Sequence, residues 1–418
     1  MENSLSVVKK KDCRLCDSPE LELAFSLKPT PSGDAYLPPG LAEKIKETFP
    51  LDLSLCNNCG LLQLLDVVDP KILYGNYIYS TSDSLGLVDH FDKYAEEVMQ
   101  RIKPRQKDMV VDIGSNDGTL LKSFGKRGMN ILGIEPANGA AEKSKRKGIP
   151  TIQDFFNSNL AEKIKKERGH ASIITANNVL ANLDNLEDII KGVSTLLSPE
   201  GVFVFETGYM VDLINNNIFD NIYHEHISYF SVKPLASFFR RNGMELIHVK
   251  HSSTKGGSIR GTVKFNASSR EISDSVKEFL YYETRSEMNN IKTFKSFYSR
   301  ITEEKNRMQS EIAKIKSNGG KVAGYGASVG VTTMLYEWEL GNSLSFLIDD
   351  NSSRQNLLSP GFKIPILSPE ALYEKKPEAV LILAWRYSEP ILNKNKKYLQ
   401  QGGKFIVPFS ESRINRSY

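Results

Sequence analysis

Two Cys-x-x-Cys pairs constrain the fold of this chain more than any other feature. All four of its cysteines lie near the start of the sequence, as Cys13, Cys16, Cys56 and Cys59. Each pair can present two thiolates to one ion, and together the pairs complete a tetrahedral set. Because four sulfur ligands leave no open coordination position, the pattern predicts a structural zinc site. Reduced structural thiols and a redox pair are the alternatives.

The interval between the two pairs, residues 17–55, is longer than zinc knuckles usually have. We therefore expect it to loop out. It contains residues that favour loops, namely Pro29, Pro31, Gly33, Pro38, Pro39 and Gly40.

Length and charge exclude several classes of protein. A chain of 418 residues is too long for one ordinary core, so two or three domains are expected. A net charge of +4 does not indicate a nucleic-acid partner. No stretch approaches the roughly 20 apolar residues of a membrane span, and the first residues lack the apolar run of a signal peptide. We expect a cytoplasmic protein without a membrane partner; the sequence does not determine oligomeric state, and a monomer is compatible with it.

A glycine-containing turn predicts a nucleoside-binding domain in the middle of the chain. Residues 109–113 form a short apolar run that predicts a buried strand, and residues 119–126 follow a helical pattern. Between them, Gly114 and Gly118 allow a tight turn with close backbone approach. The turn carries Asp112, Asn116 and Asp117, which suit the cationic methionine portion of S-adenosylmethionine better than a pyrophosphate.

A second strand, residues 130–134, ends at Glu135, which is suitably spaced to bind two ribose hydroxyls. A generic doubly wound unit, with this acid capping a helix, is the alternative. Further strands are predicted at residues 171–175, 201–205 and 246–251. Their alternation with helical stretches predicts an open α/β sheet that binds ligands at the carboxyl ends of its strands.

Three stretches together carry a family resemblance. They are Cys56-Asn-Asn-Cys59-Gly-Leu-Leu-Gln, the central DIGSNDGTLL…GIEPANGAAEKSKRKGIP…ANNVLANLDNL, and Ile222-Tyr-His-Glu-His-Ile-Ser-Tyr-Phe-Ser231 followed by Gly256-Gly-Ser-Ile-Arg260. With them the chain resembles, over essentially its whole length, the sugar C-methyltransferases of deoxysugar biosynthesis. The Tyr-His-Glu-His segment (residues 222–231) is far more specific than the glycine turn.

The resemblance implies an α/β protein that methylates carbon 3 of a 4-keto deoxysugar carrying a nucleoside diphosphate. The implied domains are a zinc-binding module (1–75), a class I S-adenosylmethionine methyltransferase core with a Rossmann-like fold (76–267), a helical linker (268–318) and a C-terminal Rossmann-like α/β domain (319–418). By position, cofactor contacts are implied for Asp112, Gly114, Asn116, Asp117, Gly118, Glu135 and Pro136. Asp154 and Phe155 fall near the adenine, and Asn177 and Asn178 near the methionine end.

The Tyr-His-Glu-His segment has the groups that a carbon nucleophile needs. A ring carbon beside a ketone must lose a proton to a positioned base, and the resulting oxyanion needs hydrogen-bond donors. His226 is the candidate base, because a neutral imidazole titrates near working pH. Glu225 can orient an imidazole or bind a sugar hydroxyl, and Tyr223 can donate to keto or diphosphate oxygens. Tyr79 matches a substrate-site tyrosine of the family, with Tyr77 as the alternative.

Other interpretations of this segment remain open. His224 is a further catalytic candidate, although either histidine can be a hydrogen-bonded structural residue. A zinc role is weakly supported, since four sulfurs already complete a site. Gly257 and Arg260 are candidates for substrate binding. Where the family often has a histidine after its fourth strand, this chain has Asn182, which cannot act as a base at neutral pH.

The last part of the chain predicts a second α/β unit. Residues 268–318 are polar, with a helical stripe of Leu280, Ile291, Phe294, Phe297 and Ile301, and predict one long helix or a helical pair. Strands are predicted from Val322 and at residues 345–348, 379–384 and 404–408. Alone, the glycine loop and downstream acid would suggest a dinucleotide domain. With the resemblance, Tyr325, Ser328 and Asp349 become candidates for holding the substrate's nucleoside; a purely structural domain is the alternative. The family often has a lysine where Val329 stands, so one phosphate contact is in doubt.

Two other functions stay open from the sequence. One is an O- or N-methyltransferase acting on a sugar or related metabolite, an alternative that Asn182 supports. The other is a catalytically inert protein that binds nucleotide sugars.

Overall fold

The computed structural model describes residues 6–44, 47–74, 81–83 and 86–410 of the chain. Within these ranges the chain forms three main sheets, which follow one another along the sequence. The α/β architecture predicted from the sequence is confirmed: a module with four cysteines, a Rossmann-like central sheet, and a parallel C-terminal sheet.

The zinc module (described residues 6–44 and 47–74) is built on an antiparallel hairpin. Leu51, Leu53 and Leu55 alternate along one strand and are buried, as the two-residue period of a strand requires. The elements are β1 (Val7–Lys9), β2 (Leu21–Thr30), β3 (Phe49–Cys56), β4 (Leu62–Leu64), β5 (Asp66–Val68) and α1 (Pro70–Tyr74).

The prediction that residues 17–55 loop out is wrong for the parts that form β2 and β3, which pair with each other. Pro29 belongs to β2, and the loop between the two strands carries the other predicted prolines and glycines and contacts the C-terminal part of the chain. The Tyr36 hydroxyl donates to the Ser328 carbonyl oxygen at 2.9 Å, and Asp34 pairs with Arg354 at 2.6 Å. A Cβ on Gly33 would lie 2.7 Å from a Val329 methyl carbon, so the two segments pack closely. The loop therefore joins two regions that are distant in sequence.

The central domain is a seven-stranded sheet with helices between its strands. Its order is β12-β13-β10-β9-β6-β7-β8, and only β13 runs antiparallel to its neighbours. The elements are α2 (Leu87–Ile102), β6 (Met109–Ile113), α3 (Thr119–Lys126), β7 (Asn130–Ile134), α4 (Asn138–Arg146), β8 (Thr151–Ile152), α5 (Ser158–Arg168), β9 (Ala171–Asn177), α6 (Leu186–Leu196), β10 (Leu197–Gly208), α7 (Met210–Asn215), β11 (Ser228–Tyr229), α8 (Val232–Arg241), β12 (Met244–Ser252) and β13 (Ser258–Phe265).

Strand β11 belongs to the sheet of the zinc module and not to the central sheet. It lies in the central part of the chain, yet it pairs with β4 and extends the zinc-module sheet to the order β11-β4-β3-β2. Ser228 is opposite Gln63 and Tyr229 is opposite Leu62. The end of the Tyr-His-Glu-His segment is therefore an edge strand of the zinc module.

Residues 268–318 form a helical pair, α9 (Asp274–Arg285) and α10 (Ile291–Ser317). The predicted stripe lies on the packed side, because Phe294, Phe297 and Ile301 are buried. No helix within the described ranges combines the length and the apolar character needed to cross a membrane.

The C-terminal sheet is wholly parallel, in the order β16-β15-β14-β17-β18. Its central strands are fully buried, which is typical of a sheet covered on both faces. The elements are β14 (Val322–Tyr325), α11 (Val329–Glu337), β15 (Leu347–Ile348), β16 (Ile366–Leu367), α12 (Ala371–Lys375), β17 (Ala379–Ile382), α13 (Ser388–Lys394), α14 (Lys396–Gln400) and β18 (Lys404–Ile406).

Candidate functional site

The four cysteines converge as predicted. Their sulfur atoms all lie within 4.8 Å of one another, with Cys13 and Cys59 at 3.5 Å and Cys16 and Cys56 at 3.6 Å. A tetrahedral zinc with bonds of about 2.3 Å needs sulfur–sulfur distances near 3.8 Å. The Asn58 amide also donates to the Cys16 sulfur at 3.4 Å. The donor set therefore fits a closed zinc site.

A cavity of about 800 Å³ opens at the carboxyl ends of the central strands. Its volume is in the range of small-molecule sites. One wall contains nine of the residues expected to contact the cofactor: Asp112, Gly114, Asn116, Glu135, Pro136, Asp154, Phe155, Asn177 and Asn178. The other walls come from the zinc module, through residues 67–70, and from the Tyr-His-Glu-His segment, through His224 and Glu225. Asn182 and Lys255 also line it.

Glu135 is held by two backbone groups. Its Oε2 accepts the N–H of Asn116 at 2.9 Å, and its Oε1 accepts the N–H of Ala137 at 2.8 Å. Burial raises the pKa of Glu135, and these two hydrogen bonds oppose that rise. Each carboxylate oxygen keeps a second lone pair, which is what a vicinal diol requires.

Asp112 is the most buried of the acidic residues that line the cavity. Burial raises the pKa of Asp112 to about 7, although the Thr175 hydroxyl donates to its Oδ1 at 2.6 Å. A carboxyl with this pKa is only partly ionised near neutral pH, and an approaching cation or additional donor favours its charged form.

Asn116 and Asp117 hold the segment that precedes α2. The Asn116 Oδ1 accepts the backbone N–H of Thr81 at 2.9 Å, and an Asp117 carboxylate oxygen accepts that of Ser82 at 3.1 Å. Burial disfavours a charge on Asp117, but hydrogen bonds from Ser82, Thr119 and Lys147 lower its pKa. Asp117 does not line the cavity. Its carboxylate accepts hydrogen bonds from groups of the protein itself, namely Ser82, Thr119 and Lys147.

Gly118 has a packing role. Its φ is +75°, and a Cβ there would lie 2.4 Å from the Ile149 side chain. It lies behind the cavity, at the start of α3. Tyr79, with its alternative Tyr77, lies outside the described residues.

Tyr223 and His226 form a hydrogen-bonded pair. The Tyr223 hydroxyl and His226 Nε2 are 2.9 Å apart, and His226 Nδ1 lies 3.1 Å from the Asn221 carbonyl oxygen. Because a carbonyl can only accept, Nδ1 carries the proton and Nε2 accepts from Tyr223. Burial lowers the pKa of His226 to about 4, so the ring is neutral at working pH. Neither residue is part of the cavity lining described above.

His224 has different hydrogen-bond partners from His226. Its Nε2 donates to the Phe49 carbonyl oxygen at 3.1 Å, which ties the segment to β3. Its Nδ1 is buried without a hydrogen-bond partner in the described part of the chain. Burial also lowers the pKa of His224 to about 4. The ring therefore has a structural contact on one side and faces the cavity as part of its wall.

Glu225 lies where the three regions meet. Burial raises the pKa of Glu225 to about 8, the Asp34 carboxylate adds to that rise, and Arg354 opposes it. The Arg354 guanidinium also lies 4.7 Å from the centre of the Tyr36 ring. These three neighbours could not be predicted from the sequence, because each contact joins residues with no local pattern in common.

Gly257 and Arg260 serve other contacts. Arg260 is buried, donates to Glu206 through two nitrogens and to Glu97 at 3.0 Å, and stacks 3.7 Å from the centre of the Tyr94 ring. A Cβ on Gly257 would collide with Asp212 at 2.2 Å. Both residues lie apart from the cavity lining, so their observed contacts are internal ones.

The C-terminal glycine loop repeats the arrangement seen at Glu135. Asp349 accepts the N–H of Ala327 at 2.6 Å with Oδ2 and that of Asn351 at 2.8 Å with Oδ1. The Tyr325 hydroxyl donates to Asp350. Each α/β unit therefore has an acid that follows its second strand and binds the preceding glycine loop.

Comparison with known families assigns each region of the chain. Residues 13–74 match a putative zinc binding domain, residues 88–249 a methyltransferase domain, and residues 253–410 the C-methyltransferase C-terminal domain.

The chain is similar to several known proteins. The C-methyltransferase NovU of Streptomyces niveus is 32% identical over 404 residues, which is 96% of each chain. A ubiquinone biosynthesis O-methyltransferase of Acinetobacter baylyi is 28% identical over 102 residues, covering 23% of this chain and 42% of its own. The structure of a methyltransferase from Leishmania major covers 46% of this chain and 80% of its own, with 15% identity and a TM-score of 0.36.

The NovU match spans nearly the whole of both chains, and the C-terminal family model covers the last strand of the central sheet, the helical pair and the C-terminal sheet. The chain is thus an enzyme rather than an inert binding protein, and its methyl acceptor is a carbon atom. It belongs to the C-methyltransferase family that includes NovU, as an S-adenosylmethionine-dependent enzyme with a four-cysteine zinc-binding domain.

Proposed function

We propose that this enzyme methylates carbon 3 of a 4-keto deoxysugar linked to a nucleoside diphosphate. The observation that carries the proposal is the shared cavity. The glycine turn and Glu135 form one wall, and His224 and Glu225 of the Tyr-His-Glu-His segment form another. A methyl donor on the first wall and a sugar on the second would meet without leaving the cavity.

The cofactor end is assigned from the donors and acceptors on the first wall. Glu135 would bind the two ribose hydroxyls with its remaining lone pairs. Asp112 and Asn177 would meet the charged methionine portion, and Asp154 and Phe155 would meet the adenine. S-adenosylmethionine supplies an activated methyl group on a sulfonium sulfur.

Replacing Glu135 with alanine should weaken cofactor binding by about 1–3 kcal/mol, because charge-assisted hydrogen bonds to the ribose are lost. Calorimetric titration with S-adenosylhomocysteine would measure the change. Glu142→Ala is the control, since Glu142 is an exposed acid on the next helix. Equal affinities for the parent and Glu135→Ala would contradict the ribose assignment.

Cofactor affinity should increase as the pH rises from 6 to 8. The pKa of Asp112 is about 7 because the group is buried, and a cationic ligand favours the ionised carboxylate. Below that pKa, binding must first remove a proton, so affinity should fall by up to about tenfold per pH unit. The ligand's own amino group titrates equally with parent and Asp112→Asn proteins, so the difference between their pH profiles isolates Asp112. Parallel profiles would contradict this assignment.

The chemistry is assigned to the Tyr223–His226 pair. The pair lies next to the wall formed by His224 and Glu225 and not in the cavity lining, so the step requires Tyr223 to turn towards the cavity. When its hydroxyl turns to the keto oxygen at carbon 4, the lone pair of His226 Nε2 becomes free for the proton on carbon 3. The C–H electron pair then moves into the enolate, whose oxygen Tyr223 stabilises. Bound S-adenosylmethionine would supply the methyl carbon to this nucleophile, with S-adenosylhomocysteine as the leaving group. The proton held by His226 passes to solvent.

Neighbouring groups affect this step in both directions. Glu225, with a pKa of about 8, is mostly protonated near neutral pH and can donate to a sugar oxygen. The ammonium of Lys255 lines the cavity and lowers the pKa of His226 further, which keeps the imidazole neutral but weakens it as a base. Asn182 can orient the sugar by hydrogen bonds but cannot replace the base.

The C-terminal unit is assigned to the nucleoside of the substrate. Asp349 uses one lone pair of each oxygen on backbone N–H groups, as Glu135 does, and keeps the others for hydroxyls. Tyr325 is the last residue of β14, and Ser328 lies on the loop that follows it. Tyr36 joins this loop to the zinc module, which brings the proposed nucleoside site towards Glu225.

The proposal is tested by incubating the protein with S-adenosylmethionine and a panel of 4-keto-6-deoxyhexose nucleotides. We expect one of them to gain the mass of one methylene group. NMR of the product should place the new methyl on carbon 3. Methylation of another carbon would contradict the assigned position, and turnover only with acceptors that lack a ketone would contradict the enolate chemistry.

A further inference from the structure

Arg14 lies between the first two cysteines, but its side chain points away from them. It is fully enclosed, with none of its side-chain surface exposed. Its Nε donates to Asp184 at 2.9 Å, and its Nη1 lies 3.1 Å from Gln63 Oε1. The same Nη1 donates to the carbonyl oxygens of Leu64 and, at 3.3 Å, Ile227. One guanidinium therefore joins the zinc knuckle, β4, the cavity wall and the Tyr-His-Glu-His segment.

Ile227 is the residue after His226, and it is held on both sides. Its N–H donates to Ala181 at 2.8 Å, and its carbonyl oxygen accepts the N–H of Leu64 at 3.0 Å. Ser228 and Tyr229 then continue as β11 beside β4. The backbone next to His226 is therefore held on one side by Ala181 of the central domain and on the other by Leu64 and Arg14 of the zinc module.

We propose that Arg14 is a positioning residue that couples the zinc knuckle to the Tyr223–His226 pair. This inference rests on the proposed role of that pair and goes beyond it. A planar guanidinium holds several acceptors in fixed directions, which a flexible ammonium cannot do. Because Arg14 is buried, a shift of the knuckle would leave its partners unsatisfied, and the segment after His226 would move with them.

A second arginine of the same region provides a control. Arg241 also bridges the first knuckle and the core, with Nη2 at 3.5 Å from Asp17 and 3.0 Å from Glu187. These ion pairs do not involve the Tyr-His-Glu-His segment, and the Arg241 side chain is 39% exposed whereas that of Arg14 is enclosed. Arg241→Met therefore removes a more exposed bridge from the same knuckle without the proposed coupling.

Arg14→Met should keep one zinc per chain and the parent affinity for S-adenosylhomocysteine. Its kcat should fall at least about tenfold with little change in KM, because substrate contacts remain while the base is misplaced. Solvent deuterium exchange at carbon 3 should slow equally. Arg14→Lys should lie between parent and Arg14→Met, since one ammonium cannot reach all four acceptors. Arg241→Met should behave as the parent does.

The imidazole signals of ¹⁵N-histidine-labelled protein test the coupling without substrate. The His226 signals, assigned by their loss in His226→Asn, should show the Nδ1–H form in the parent and shift in Arg14→Met. Unchanged signals together with an unchanged exchange rate would overturn the proposal. If Arg14→Met lost zinc, parent-like signals in Arg14→Lys would overturn it instead. A parent protein that exchanges no proton of any 4-keto nucleotide would defeat the proposed function, while the histidine signals would still decide the role of Arg14.

Discussion

His226→Asn should slow methyl transfer at least about 100-fold, the usual contribution of a positioned general base. The amide can still accept a hydrogen bond from Tyr223, so the fold and both binding steps should survive. What it cannot do is take a proton from carbon. With S-adenosylhomocysteine in place of the methyl donor, solvent deuterium exchange at carbon 3 reports deprotonation alone. That exchange should disappear in the variant.

His224→Asn is the informative comparison, because the two histidines differ in their contacts. Among the residues that the structure describes, His224 Nδ1 is buried without a hydrogen-bond partner, whereas both nitrogens of His226 are hydrogen-bonded in the protein without substrate. We expect His224→Asn to retain exchange. If exchange were lost in His224→Asn and kept in His226→Asn, the base would be His224. Asn182 cannot supply the missing base in either variant.

Loss of the zinc site should have the largest effect on stability. Cys59→Ser removes one of four sulfur ligands, and structural zinc sites contribute about 10–16 kcal/mol of apparent binding free energy in zinc-finger peptides. The variant should purify with less than one zinc per chain and should unfold at a much lower temperature. Metal analysis and thermal unfolding would measure both effects.

Asn57→Ser is the matched control, since Asn57 lies in the same knuckle with an exposed side chain. It should keep both the metal and the melting temperature. A metal-free Cys59→Ser protein with the stability of the parent would show that the cysteines are not a structural site.

Local sequence patterns predicted much of the central domain. The strands at residues 109–113 and 130–134 and the helix at 119–126 have the observed bounds. Each is a short segment whose apolar spacing matches one face of a strand or helix. The two Cys-x-x-Cys pairs likewise predicted that the four sulfur atoms lie close together, because four thiolates must converge to bind one zinc ion.

Contacts between distant segments could not be predicted in this way. Asn116 and Asp117 suit a cationic ligand by type, but the structure shows them bound to the backbone of Thr81 and Ser82. Arg260 belongs to a sequence motif that suggested substrate binding, but in the fold its side chain is buried against Glu206. Such partners lie tens to hundreds of residues away, and no periodicity records them. The assigned roles of the site residues, and the domain boundaries, therefore stay predictions.

The pairing of β11 with β4 determines which pieces of this enzyme can be exchanged between relatives. A recombinant that took only residues 1–75 from another member would bring a foreign β4 against the resident Ser228 and Tyr229. Because a register shift of one residue turns every side chain to the opposite face, a poor match would displace the whole segment. The segment that can be exchanged between related enzymes is thus discontinuous. It consists of the zinc module together with residues 222–231, and we expect folded chimaeras to take both from one parent.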